Sequence, residues 1–238
     1  MRNVVPLTER ELVASFFSPI AYVVGCVFLL FSGWYFVTQV LVPGNEASMR
    51  PLFEAMTAIL VFAVPLLTMR AVAEELSSGT IETLMTAPVT DAEVVLGKFV
   101  GVLLLYAALL LTTLPHVIIL LAYSAAPIGV IVFGYLGLLL IGALYISVGL
   151  FASCCTRHQL LAAVIAMAIL SIFTFLVDYF AELAGPGLRG VLMAVNVPAY
   201  FDEFTKGILD TKSVVFFVTT TVFFLFLATK VLESKRWR

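Results

Sequence analysis

Charged residues are bunched along this chain of 238 residues, and the intervals between the bunches are almost wholly apolar. Residues 12–45, 55–69, 99–156, 158–177 and 213–229 carry no Asp, Glu, Lys or Arg. An apolar helix needs about 20 residues to cross a hydrocarbon core of ~30 Å. The spacing therefore predicts spans at roughly 20–42, 52–70, 91–123, 128–152, 159–181 and 213–232. The longest run holds two of them, because Ser124-Ala-Ala-Pro-Ile-Gly129 is a turn signal near its middle. The last run, rich in Phe, Val and Thr, would suit a strand in water. In lipid its length and its lack of alternation favour a helix, which satisfies its own backbone. The expected fold is an all-α integral membrane protein with six transmembrane helices in a single domain, 1–238.

Composition agrees. The chain is 62% hydrophobic and 12% charged, whereas a soluble domain runs at about half and about a quarter. An ordinary soluble enzyme is excluded. Lys and Arg set the orientation. With the N-terminus in the cytoplasm, Arg2, Arg10, Arg70, Lys98, Arg157, Lys230, Lys235, Arg236 and Arg238 fall inside, and Arg50, Arg189, Lys206 and Lys212 fall outside. Both termini are thus expected to be cytoplasmic. The first span is too long and too late for a cleaved signal peptide, and no small-residue cleavage site follows it. The net charge of −2 offers no basic patch to release counterions from phosphate, so no nucleic-acid partner is expected. Cys26, Cys154 and Cys155 read as reduced thiols packing among helices; with only His158 near the pair, no metal site is expected.

Two pieces lie outside the spans on the cytoplasmic side. In Leu7-Thr-Glu-Arg-Glu-Leu12, Thr8 and Glu11 have capping-box spacing, with Leu7 and Leu12 placed as a hydrophobic staple. The helix at 6–18 that follows puts Leu12, Val13, Phe16 and Phe17 on one side, and Ser18-Pro19 breaks it from the first span. It is expected to lie along the membrane surface. The loop 71–90 is the second piece. Gly79 interrupts the helix that leaves the second span, Thr80 can cap a new one, and Glu82 suits its first turn. Ile81, Leu84 and Met85 fall at i, i+3 and i+4 as one apolar face. Pro88 ends the unit, and Thr90 with Glu93 makes a further capping box that opens the third span. A helix of about two turns is marginal alone in water, so this one needs a surface to dock against.

The run Glu74-Glu75…Gly79-Thr80-Ile81-Glu82…Leu84…Pro88…Gly97-Lys98 resembles the cytoplasmic loop of ABC-2 type permeases, the membrane subunits of ATP-binding-cassette transporters. The surface helix is similar to that family's elbow helix, here carried by Thr8, Glu11, Leu12 and Phe16. A second resemblance lies in Tyr200-Phe-Asp-Glu-Phe204…Gly207-Ile-Leu-Asp210, which leads into the Phe-rich last span. Together these look most like the small permeases associated with gliding-motility transporters, and more distantly like those of copper-enzyme maturation. The resemblance implies that Thr80–Ala87 is a coupling helix seated on a separate ATPase subunit, with Ile81, Leu84 and Met85 buried there. Glu74, Glu75 and Glu82 would then be polar contacts or loop anchors. It also implies a second permease subunit, the same or different, export across a bacterial inner membrane, and ATP with Mg held on the partner rather than on this chain. A periplasmic or membrane accessory protein and membrane lipid are further expected partners. Tyr200, Phe201, Phe204, Gly207 and Asp210 belong to an extracellular segment, 182–212, that is either a pair of re-entrant helices or a surface lid.

Catalytic chemistry of its own is not expected. No Gly-x-x-x-x-Gly-Lys-Ser/Thr loop occurs; Gly97-Lys98 is followed by Phe99. Two alternatives compete with the permease. An intramembrane enzyme would use Glu74-Glu75, but the accompanying Arg position is Gly79 and the His pair is absent; Asp178 has no second Asp in a span. An ion-coupled carrier needs ionisable groups at mid-membrane, and His116, after Pro115, is the sole candidate. A neutral histidine satisfied by a backbone carbonyl near the proline accounts for it without transport chemistry.

Overall fold

A computed structural model describes residues 4–41, 48–79, 90–124, 127–183 and 186–236, and those residues form helices and short turns. Helix α1 (Val4–Phe16) is followed at Pro19 by α2 (Pro19–Tyr35), which widens into a π-helical turn at Phe36–Val40. Next come α3 (Arg50–Thr68) and the short α4 (Ala73–Ser78). The long apolar run then divides into α5 (Asp91–Leu111), α6 (Leu114–Tyr123) and α7 (Ile128–Cys155). Helix α8 (Gln159–Ser171) passes through a second π turn, Ile172–Leu176, into α9 (Val177–Leu183). Two short helices, α10 (Pro186–Met193) and α11 (Val197–Thr205), precede the last long helix, α12 (Thr211–Arg236).

Helix α7 is the centre of the bundle and touches α3, α5, α8, α11 and α12. Its glycines are what let them approach. A Cβ built at Gly142 would lie 2.0 Å from the Tyr106 ring of α5, and one at Gly134 would lie 2.1 Å from the Phe53 ring of α3. At Gly149 the neighbour is Thr68 Oγ1, also 2.1 Å away. Each partner side chain fills a notch that a methyl group would occupy, the small-residue packing that draws membrane helices together where lipid supplies no hydrophobic drive. The buried hydroxyls are paired: Tyr106 donates to the Leu138 carbonyl at 2.7 Å, and Tyr145 shares a 2.8 Å hydrogen bond with Thr174.

The first turn of α1 departs from expectation. The helix starts at Val4, with Pro6 tolerated in its first turn, so Thr8 sits one turn inside rather than at the cap. Its Oγ1 donates to the Val4 carbonyl at 2.9 Å. Glu11 does not fold back onto Thr8 but reaches Lys98 of α5, and Leu7 packs over Gly97. A buried ammonium without a counter-ion costs several kcal/mol, while a cap contributes about one; the tertiary ion pair outcompetes the local box. The capping-box assignment of Thr8 and Glu11 is therefore corrected. Leu12 is half-buried beside Gly101, whereas Phe16 and Val13 face outward.

Candidate functional site

The end of the bundle that carries α1 is where charge concentrates. Helix α3 contains Pro65 and stops at Thr68; the chain turns through Met69–Val72 and starts again as α4. Restarting a helix leaves backbone N–H groups without partners, and no side chain of α4 caps it. The acceptor comes from α7. Ser153 Oγ receives the N–H groups of Val72 at 3.1 Å and Ala73 at 2.9 Å, and donates to the Met69 carbonyl at 3.2 Å. One buried hydroxyl thus holds both sides of the break.

Helix α4 then presents two carboxylates. Glu74 takes both Arg70 Nε (2.9 Å) and Nη2 (3.3 Å), an exposed i, i+4 pair. Glu75 points inward and accepts from Lys98 Nζ at 2.9 Å, while Glu11 of α1 accepts from the same nitrogen at 3.1 Å. Lys98 is buried, with 7% of its side chain exposed, against 17% for Glu11 and 19% for Glu75. Three elements far apart in sequence are thereby tied to one ammonium. Two carboxylates share one cation, and Oε2 of Glu75 is buried with no donor. Beside this cluster is a cavity of about 380 Å³ between α1, α2, α3 and α5.

The chain leaves α4 through Gly79, whose φ of +73° lies in the left-handed region that ends helices readily only as glycine. It re-enters through Thr90, where the capping box is formed: Glu93 N–H donates to Thr90 Oγ1 at 3.3 Å and Thr90 N–H to Glu93 Oε2 at 3.2 Å. Both borders of the loop are therefore fixed. Of the residues assigned to the loop from sequence, Glu74, Glu75 and Gly79 have the places just given. Thr80, Ile81, Glu82, Leu84, Met85 and Pro88 lie outside the described residues.

At the opposite end, the five residues of the Tyr200–Asp210 run each take a definite place. Phe201 and Phe204 are buried in α11 and abut Gly137 of α7. Gly137 lies about 13 Å along the helix axis from Ile128, so α11 packs well down the flank of α7. Tyr200 stacks on Phe216 of α12 at 4.2 Å. Gly207 turns the chain with φ +79° and passes close to Val130, and Asp210 Oδ1 accepts from Lys212 N–H at 3.0 Å to open α12. Asp202, also on α11, pairs with Arg50 of α3 and with Lys206. Partial burial works against its charge, but the Lys206 and Arg50 cations prevail and hold its carboxyl below the usual range.

His116 is satisfied locally. Its Nδ1 lies 2.9 Å from the Thr113 carbonyl, which can only accept, and its ring meets Phe36 edge-on at 4.9 Å. The carbonyl belongs to the turn between α5 and α6, next to Pro115.

Sequence reasoning missed Lys98 as the centre of this end, and missed Ser153. The first carried a signal: a lone cation about two turns into an apolar helix needs a counter-ion. The second carried none, because its partners are backbone groups.

Six helical stretches, from Pro19–Val40 to Thr211–Lys235, are long and apolar enough to cross a membrane, and they define a multi-pass, all-helical membrane protein. The family model described as ABC-2 family transporter protein matches residues 47–235, and the chain belongs to that family. It is a membrane permease of the ATP-binding-cassette transporter class. Helices α1 and α2 precede the matched region. Comparison with curated proteins finds no match.

Proposed function

We propose that this permease is driven by a separate ATPase subunit that grips the loop between Gly79 and Thr90, and that it exports a substrate or transmits force across the membrane. The observation that carries the reading is the fixed frame around that loop. Gly79 ends α4, the Thr90 box starts α5, Ser153 anchors the α3–α4 break to α7, and Lys98 ties α4 and α5 to α1. A push on the loop has stiff routes into α1, α3, α4, α5 and α7. Thr80–Ala87 is the coupling helix in this reading, with Ile81, Leu84 and Met85 in the ATPase groove and Glu82 at its start.

ATP and Mg sit on the partner, and this chain is not itself an enzyme. Its termini and α1 are cytoplasmic, α1 is the elbow helix, and the membrane is a bacterial inner membrane. Two permease subunits, identical or not, act on two ATPase subunits. Helices α10 and α11 are the re-entrant pair, supported by the depth at which Phe201 and Phe204 meet α7. Among ABC-2 permeases the small gliding-motility type fits best, on the Tyr200–Asp210 run.

A photocrosslinker at Leu84 in native membranes tests the core of this. The expected adduct is a P-loop ATPase, identified by mass spectrometry. A folded protein that yields no ATPase adduct from Leu84 or Met85 overturns the reading.

A further inference from the structure

The cavity beside Lys98 does not end at the charged layer. Below it, between α2 and α5, runs an apolar groove of about 230 Å³ at membrane depth, and Ala21, Leu67 and Leu105 line both spaces. The groove has almost no polar surface, whereas the cavity is lined by Arg10, Arg70, Lys98, Glu11, Glu74 and Glu75. These charges are matched in number, three of each sign, but not in position. Arg70 is taken by Glu74. Lys98 faces two carboxylates and leaves one negative charge unbalanced, with Glu75 Oε2 lacking a donor and only Oε2 of Glu11 engaged. Arg10 makes no ion pair among the described residues. One end of the cavity therefore wants a cation with N–H groups, and the other offers a free guanidinium.

We infer that this joined cavity and groove bind a phospholipid whose headgroup carries both a phosphate and a primary ammonium, from the leaflet on the α1 side. The ammonium sits toward Glu11 and Glu75, the phosphate meets Arg10, and an acyl chain lies in the groove between α2 and α5. Charge balance selects the headgroup. A net anion would meet the unbalanced carboxylate, and a quaternary ammonium has no N–H to give Glu11 Oε1, the carboxylate oxygen that Lys98 leaves unengaged. The apolar groove selects a lipid over a soluble amine phosphate, because it continues from the charged cavity and offers a wall to an acyl chain but no polar partner to a soluble headgroup.

The test uses the full chain purified in detergent and stripped of lipid, with retention read by native mass spectrometry. The probes are phosphatidylethanolamine, phosphatidylcholine and phosphatidylglycerol with identical acyl chains, and soluble phosphoethanolamine. Phosphatidylethanolamine should bind roughly tenfold more tightly than the other two lipids, the worth of one charge-assisted hydrogen bond, and phosphoethanolamine should not compete. Arg10→Gln, on an exposed and unpaired side chain, should weaken retention of all three lipids alike, since each carries the phosphate that Arg10 meets, without moving the unfolding temperature of the lipid-free protein. Ala108→Trp, which fills the groove, should lower retention of all three lipids. Equal retention of the ethanolamine and choline lipids, or a preference for the glycerol lipid, overturns the headgroup assignment. Competition by phosphoethanolamine at parity overturns the lipid. Should Ala108→Trp fail to fold, the headgroup comparison on the natural chain still decides. An ATPase adduct at Leu84 with no headgroup preference would keep the transport reading and remove this one.

Discussion

Lys98 is the residue on which the α1 end turns. Removing its charge strands two buried carboxylates, so Lys98→Met should cost about 3–5 kcal/mol, measured as thermal unfolding in detergent. Neutralising all three groups, with Glu11→Gln and Glu75→Gln added, should recover much of that loss, because a buried triad without charge needs no counter-ions. Ser153→Ala leaves the Val72 and Ala73 N–H groups without an acceptor. It should cost about 2 kcal/mol and should raise amide exchange at those two positions before it raises exchange elsewhere. His116 sits at the other extreme. Its hydrogen bond stays within one turn, so His116→Phe should leave transport and its ATP dependence unchanged; loss of transport with ATPase coupling intact would revive a proton-coupled role. These residues show where reading the sequence stops. The match of Thr90 with Glu93 is local and was legible, as was the helix break at Gly79. Thr8 and Glu11 satisfied the same local pattern and failed it, because Lys98, far along the chain, competes for the Glu11 carboxylate.

At the scale of elements, the hydrophobic runs marked each long helix, since crossing lipid leaves little choice of structure. The breaks inside them were not read from the sequence. Leu111 closes α5 and Leu114 opens α6, and two π turns interrupt α2 and the α8–α9 stretch. The first break carries a mark, Thr112-Thr113 followed by Pro115 in the opening turn of α6; at the π turns the composition stays apolar and only packing changes. Helix α7 illustrates the cost of altering that packing. Gly142→Ala should force the Tyr106 ring aside and lose about 1–3 kcal/mol, while Gly129→Ala, which meets open space, should be near neutral; paired unfolding curves separate the two. Helix α11 was placed by sequence only as one of two alternatives, a re-entrant helix or a surface lid, and sequence did not foresee that Phe201 and Phe204 are buried against Gly137. Its outer tie to α3 is titratable. Because the Arg50 and Lys206 cations depress the Asp202 carboxyl, the stabilisation is present above the ordinary aspartate range and is lost as pH falls below roughly 4. Amide exchange in α11 should rise over that interval and stay flat across neutral pH, with Asp202→Asn abolishing the dependence.

At the scale of the whole molecule, burial is uneven. The span containing α3 is 61% buried within the chain, against 22% for the span formed by α2 and its π turn. Helix α2 shows Tyr22, Val27, Leu30, Phe31 and Trp34 to the outside and is flanked by apolar grooves on both sides, one against α3 and one against α5. The notched contacts of α7 behave differently. Phe53, Tyr106, Thr68 and the α11 phenylalanines engage it at successive heights, like teeth in a rack, and none can slide without disengaging the others. A rack of this kind transmits displacement but does not absorb it. Displacement passed to α7 is therefore shared at once by α3, α5 and α11, while α2, the least buried of the six spans, carries no tooth and stands outside the rack.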